Sequence, residues 1–255
     1  MIWINQLFFR QAVFLIFLLF LGFLSAQDIT LNYKTQFNQS ATGVYHQLQM
    51  ADNWSEWKFI GQEKAVIDDE EDNAVILRTS GKKRNFYKKA TSVYYQENLF
   101  GRLIDVYDQP FFDWQLQAKQ DTINGFACQW ATTHFRGRDY EACFSWEIPV
   151  SEGPWKFQGL PGLIVQVKSL DHYVQYTLVQ IEPNANQDWV ESAAKYADQN
   201  FREFGEFEEL FIRVWDRRIS QLRAENIDNQ GSEHLRIETI EVIYPALSTG
   251  LGVEL

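Results

Sequence analysis

The feature that most constrains this chain is a succession of short runs, alternating or apolar, that fill residues 28–182 and are broken by turn residues. Successive side chains on a strand point to opposite faces, so a period of two builds a sheet with one buried side. Short runs joined by close turns build that sheet antiparallel. Ile29-Thr30-Leu31-Asn32-Tyr33-Lys34 alternates cleanly, and so do residues 45–50. Ala65-Val66-Ile67 and Ala74-Val75-Ile76-Leu77 flank the acidic run 68–73, which reads as a hairpin with a charged loop. Residues 94–107, 114–118, 125–133 and 138–146 continue the series, and 163–168 with 173–181 complete it.

Past Pro183 the period changes. Phe204, Phe207, Phe211, Trp215, Ile219 and Leu222 recur at three and four residues and fall on one stripe of a helix. Residues 188–200 predict a further helix or its first turns, with Asp188 as the cap and Gly205 as the interruption. A short strand is expected over 235–244, stopped by Pro245. The expected fold is mainly β with an α+β character: a curved antiparallel sheet or open barrel carrying one or two C-terminal amphipathic helices.

Residues 1–26 read as a secretory signal, with Arg10 as the positive end, an apolar run over 12–24, and Ser25-Ala26 for cleavage. That run is shorter than the roughly 20 residues a spanning helix needs. The expectation is cleavage near Ala26, with residues 27–255 as a single exported domain in the periplasm or outside the cell and no transmembrane segment in the mature chain. The full chain carries 34 acidic and 23 basic residues, a net charge of -11, and loss of Arg10 makes the mature part more negative still. Few cations face a phosphate backbone from such a surface, so nucleic acid is excluded as a partner. The load of nine Trp, eleven Tyr and twenty Phe fits either a β core filled with rings or a groove that grips ligands.

Export favours oxidation of the two cysteines, Cys128 and Cys143. They face each other directly if a hairpin closes through a four-residue loop, 134–137, with Gly137 left-handed. A three-residue loop places them on opposite faces and leaves two separate buried thiols.

No catalytic constellation is legible. His46, His134, His172 and His234 are scattered, without a second His or Cys at metal-ligand spacing, and no Gly-x-Ser-x-Gly turn marks a nucleophile. His172 fits a turn between strands. The acidic run 68–73 has Asn73 and Thr79 where a calcium loop needs Gly and Glu, and reads as a hairpin tip paired with Lys82-Lys83-Arg84. No metal and no cofactor are expected.

The densest Gly, Pro and aromatic content lies between 124 and 167. There Phe135-Arg136-Gly137-Arg138 is followed by Glu147-Ile148-Pro149, Gly153-Pro154-Trp155-Lys156-Phe157 and Gly159-Leu160-Pro161-Gly162-Leu163-Ile164. This order resembles the GLPGLI family of exported bacterial proteins. The resemblance implies the envelope of Gram-negative bacteria and a strand-rich fold, and supplies no catalytic residues. Members more often carry an aromatic where this chain has Cys143. By conformation alone, Leu160-Pro161-Gly162-Leu163 predicts a type II turn with Gly162 at positive φ. Gly153-Pro154 predicts a second turn, after which Trp155 and Phe157 share one face of an extended stretch. Arg136 and Arg138, flanking a hairpin tip, are either an anion clamp or exposed turn charges.

The sequence thus predicts a non-catalytic binding or accessory protein for an apolar or extended ligand or a protein partner in the envelope. Two alternatives stand beside it: a peptide or glycan hydrolase using carboxylates, and an envelope scaffold partner of an outer-membrane protein.

Overall fold

Four two-residue turns close hairpins of the sheet: Asp52-Asn53, Phe100-Gly101, Asn124-Gly125 and Arg136-Gly137 hold both central residues at positive φ, between 43° and 88°. That conformation matches the right-handed twist of the flanking strands. The computed structural model describes residues 28–62, 85–183, 187–225, 234–235, 240–243 and 253–254. The leader, the acidic run 68–73 and Lys82-Lys83-Arg84 lie outside the described residues.

The strands are β1 (Ile29–Phe37), β2 (Val44–Ala51), β3 (Trp54–Gln62), β4 (Phe86–Lys89), β5 (Ser92–Leu99) and β6 (Arg102–Asp108). They continue as β7 (Gln115–Ile123), β8 (Phe126–Phe135), β9 (Arg138–Ser145), β10 (Leu163–Ser169), β11 (Val174–Pro183) and β12 (Arg202–Glu203). All twelve belong to one sheet, ordered β12-β6-β5-β4-β3-β2-β1-β11-β10-β9-β8-β7. The pairs are antiparallel except β12 with β6. Helices α1 (Val190–Ala197) and α2 (Phe204–Glu225) follow β11, and β13 (His234–Leu235) pairs with β14 (Val253–Glu254) as a separate ribbon. The mainly β architecture, with an open sheet and helices towards the C-terminus, is the one the alternation predicts.

The helices take opposite faces of the β5–β6 region. α2 buries Phe207, Trp215 and Ile219 against Val93, Tyr95 and Val106, as its apolar stripe requires. α1 buries Trp189, Ala193 and Tyr196 against Trp54 and Tyr87, whose strand positions point the other way. Trp189, not Asp188, holds the N-cap position of α1. The two helices are separated by β12 rather than by Gly205, which lies inside α2. Residues 94–107 form a hairpin, not one run, because Phe100 and Gly101 turn the chain. Strands β3 and β4 escape the sequence pattern, the first being buried over Trp54-Ser55-Glu56-Trp57 and largely exposed beyond.

Residues 146–162, between β9 and β10, cross the inner face of the sheet. A Glu152–Gln158 bridge closes a small loop in which the Phe157 N–H donates to the Pro154 carbonyl at 3.0 Å. This stretch is turned, not extended, so Trp155, Lys156 and Phe157 are buried together instead of alternating. Phe157 is fully buried, with its ring centroid 4.9 Å from Tyr140, 5.2 Å from Phe112 and 5.3 Å from Trp155. The aromatics therefore fill the interior next to the insert. Gly162 does not take positive φ; Gly159 does, at 96°. Gly162 is required for a different reason: a Cβ there would lie 2.2 Å from the Ser145 carbonyl oxygen.

Cys128 and Cys143 lie at disulfide distance, with Cα atoms 5.5 Å apart. The β8–β9 turn has two residues, Arg136-Gly137, not four, and the register is Trp130↔Cys143. Because Arg136 adopts positive φ as well as Gly137, the pairing slides by two positions. The cysteines become diagonal neighbours and stay on one face.

Two outcomes follow for urea denaturation. Gly162→Ala lowers the unfolding free energy by about 2–4 kcal/mol, since backbone must shift to admit the methyl group. Gly61→Ala, with nothing within 4 Å of its new Cβ, changes it by less than about 0.5 kcal/mol. In the oxidised protein, replacing both cysteines by serine costs about 3 kcal/mol, as expected for a closed loop with a separation of 15.

Candidate functional site

Register places Ser55, Lys88, Val93 and Asp108 in one row across β3, β4, β5 and β6, on the face the insert covers. The insert meets this polar row with two charges of its own. Glu152 accepts hydrogen bonds from Ser55 Oγ at 2.9 Å and from the buried Lys88, whose ammonium also reaches the Gly153 carbonyl at 2.9 Å. Lys156 Nζ donates to Asp108 Oδ2 at 2.9 Å, Tyr95 Oη at 2.9 Å and Glu241 Oε1 and Oε2 at 2.9 and 3.0 Å.

Arg136 enters the same cluster from the β8–β9 turn. Its two terminal nitrogens fork onto Asp108 at 2.8 and 2.7 Å, and Nη1 also pairs with Glu241. Side-chain exposure is 1% for Lys156, 2% for Asp108, 9% for Glu241 and 21% for Arg136. Two cations and two anions thus leave water together with their charges balanced. Phe204, the first residue of α2, roofs the cluster, with its ring centroid 3.2 Å from the Arg136 guanidinium carbon and 5.1 Å from Lys156 Nζ.

Burial by itself would raise the Asp108 carboxyl, but Lys156 and Arg136 outweigh it and hold Asp108 below the ordinary carboxylate value. For Arg136 burial acts to release the proton. Hydrogen bonds to Asp108 and the charge of Glu241 reverse this and push the guanidinium above its usual range. Burial, then Glu241 and Asp108, push the Tyr95 phenol well up, so it stays a neutral acceptor for Lys156.

Beside the cluster lies a captured segment. Residues 240–243, Ile240-Glu241-Val242-Ile243, run across the β8–β9 turn. The Val242 N–H donates to the Arg136 carbonyl at 3.0 Å. Arg138 Nη1 and Tyr140 Oη converge on the Ile240 carbonyl at 2.7 and 3.1 Å. A Cβ on Gly137 would lie 2.7 Å from Val242 Cβ, so this glycine serves a close approach as well as a positive φ of 81°. Arg138 also pairs with Asp171 at 2.6 Å and lies 4.1 Å from the Tyr173 ring.

The structure therefore draws Arg136, Gly137, Arg138, Gly153, Pro154 and Trp155 of the sequence motif into one corner, with Gly159, Leu160, Pro161, Gly162, Leu163 and Ile164 returning the chain from it to β10. Arg136 and Arg138 are neither an empty anion clamp nor solvated turn charges: both bind carboxylates and the segment 240–243. Sequence reading missed Tyr95, Asp108, Lys156 and Glu241. A signal existed for two of them, since Lys156 stands between Trp155 and Phe157, and Glu241 stands inside an apolar run. His172 sits in the turn between β10 and β11 at φ 60°.

Asp108 and Glu241 both contact one ammonium, so two buried carboxylates do lie close together. Acid–base work needs one of such a pair to keep a proton near neutral pH and to reach substrate. Here Asp108 is held ionised by two cations and enclosed. Among the described residues, no three His, Cys, Asp or Glu side chains gather as a metal set. No described helix is long and apolar enough to cross a membrane.

Residues 136–166, which hold this corner, match a family model described as a protein of unknown function (Porph_ging). None of the curated proteins matches the chain. Among solved structures, the fold is similar to PNGF-II at 11% identity, covering 74% of this chain and 33% of that one with a TM-score of 0.45. It is also similar to a chain in the Pseudomonas aeruginosa MucA/MucB complex at 9% identity, covering 65% and 55%, with a TM-score of 0.35. This chain thus spans about a third of the one and about half of the other.

Lys156→Ala strands two carboxylates beside a single guanidinium and is expected to cost about 3–5 kcal/mol in chemical denaturation. Lys168→Ala breaks a half-exposed pair with Glu141 and costs less than about 1 kcal/mol. Equal losses for the two would remove the quartet from its central role. His46 tests burial independently: it stacks on Trp57 at 4.8 Å, and burial lowers it from 6.5 to about 4. Between these values the unfolded chain binds a proton that the folded chain refuses, so stability falls as pH falls through the window. The slope is about 1 kcal/mol per pH unit. His46→Gln is expected to flatten that slope in urea titrations.

Proposed function

We propose that this is an exported, non-catalytic accessory protein of the bacterial envelope that holds a partner protein chain. The observation that carries this reading is the corner at Arg136, Arg138 and Lys156, where main-chain and charged groups already hold a separate polypeptide segment, residues 240–243, in place. The packing around Phe157 supports a protein partner over an apolar small molecule, because the insert occupies the inner face where such a molecule would sit. Export rests on residues 1–26, read as a cleaved leader ahead of one domain over 27–255. The anionic composition supports a partner that is not nucleic acid. The carboxylate hydrolase is disfavoured by the ion pairing of Asp108 and Glu241.

Expression of the full chain with its leader in a Gram-negative host tests this reading. The expected product begins at Gln27, leaves the cell on osmotic shock, and forms a defined complex with a purified envelope protein found by cross-linking. Retention in the cytoplasm with the leader intact would contradict it. So would turnover of peptide or glycan substrates that Asp108→Asn abolishes.

A further inference from the structure

The segment 240–243 is held in an unusual way. It belongs to neither the twelve-stranded sheet nor the β13–β14 ribbon, yet Glu241 and Ile243 are 8% and 9% exposed. Each of its four residues meets a specific receiver. The Ile240 carbonyl takes two donors, from Arg138 and Tyr140. Glu241 takes both Lys156 and Arg136. Val242 lies in the space that the missing Gly137 side chain leaves open, and its N–H reaches the Arg136 carbonyl. Ile243 enters the apolar cluster between α2 and the β5–β6 hairpin.

The division of labour is that of peptide recognition: main-chain hydrogen bonds give affinity, and pockets for chosen side chains give specificity. The carboxylate reader is preformed, because Asp108 holds both cations in place whether or not a second carboxylate is present. Without that second carboxylate the buried site carries one excess positive charge, so an occupant with an acidic side chain at this position is strongly preferred over any other. An element outside the sheet ladder also opens without breaking the ladder, at a lower cost than global unfolding.

We infer that the corner of Arg136, Gly137, Arg138 and Lys156 is a segment-capture site of which residues 240–243 are the resident occupant. The partner it fits is a segment of another protein with the pattern apolar-Glu-apolar-apolar. The inference rests on the protein-partner reading above and names the site and chemistry through which that partner binds. Exchange follows from simple competition: a partner segment present at high local concentration takes the place of the internal one when the latter opens.

Two measurements test it. In the wild-type full chain, hydrogen exchange is expected at the Val242 amide at least about 100-fold faster than at β9 amides held between β8 and β10, reporting local opening of the resident segment. Protection of Val242 equal to that of β9 would make the segment a permanent part of the fold and overturn the inference. In the second experiment a fluorescent peptide with the sequence of residues 237–247 is titrated into full-length wild type and full-length Glu241→Ala. The expected result is saturable binding to Glu241→Ala, at least about tenfold tighter than to wild type, and lost when the peptide itself carries Glu→Gln at the position of Glu241. A folded Glu241→Ala chain that binds both peptides alike, or neither, would overturn the inference. If Glu241→Ala fails to fold, the exchange experiment on wild type decides alone. Cytoplasmic retention or enzymatic turnover would defeat the proposed function while leaving both readouts intact. A partner complex that forms although the peptide does not bind would defeat only this site.

Discussion

Four charges removed from water hold together parts of the sheet that its strand order keeps far apart. β6 lies next to one edge and the β8–β9 turn lies near the other, yet Arg136 forks onto Asp108 at 2.7 and 2.8 Å. Only a strongly curled sheet brings them within reach, and Lys156 and Glu241 complete the seam. Any one of these charges alone would be costly to bury, because the interior offers little of the solvation water provides. As a neutral quartet they satisfy one another, and removal of one member leaves the rest unbalanced. The curl of the sheet and the burial of the quartet therefore depend on each other. This coupling makes the pairing of Asp108 with Arg136 and Lys156 a place where the fold is sensitive to single changes.

The insert between β9 and β10 gives the curl its content. An open, curled sheet leaves a concave face that must be covered or used. Here Trp155, Phe157 and Leu160 cover it, and the charges that arrive with them, Glu152 and Lys156, find partners on the row Ser55, Lys88 and Asp108. Gly153 and Gly162 allow the insert to lie close, since a side chain at either would meet Ile164 or the Ser145 backbone within 2.9 Å. The aromatic residues next to the insert in this way fill an interior rather than line an open groove.

Much of this was legible in the residues. Alternation gave the sheet, and the stripe Phe207, Trp215, Ile219 gave α2 its buried face, because both signals follow from side-chain direction in a regular backbone. The cysteine pairing was legible only up to register: the parity of the hairpin decided the face, while the turn length required knowing that Arg136 would accept positive φ. Nothing local predicts that choice. Arginine is an unusual residue for such a turn, and the bonds its side chain forms with Asp108 and Glu241 are non-local. The same reason hides the quartet. Its members are separated by up to 133 positions, between Asp108 and Glu241, and no spacing rule connects residues that only a curled sheet brings together.

The stretch that matches the family model, 136–166, contains the cations Arg136, Arg138 and Lys156, and their acidic partners Asp108, Asp171 and Glu241 all lie outside it. A segment so divided cannot satisfy its own buried charges and has no reason to fold alone. It is better understood as a receiving corner whose positive groups require carboxylates from elsewhere in the chain. Two of those carboxylates come from the sheet and its turns, which fixes the corner in place. The third comes from residues 240–243, so the partner outside the ladder is also the one that completes the charge balance. At this corner the frame leaves one of its requirements, a single carboxylate, to be met by a piece of chain outside the sheet.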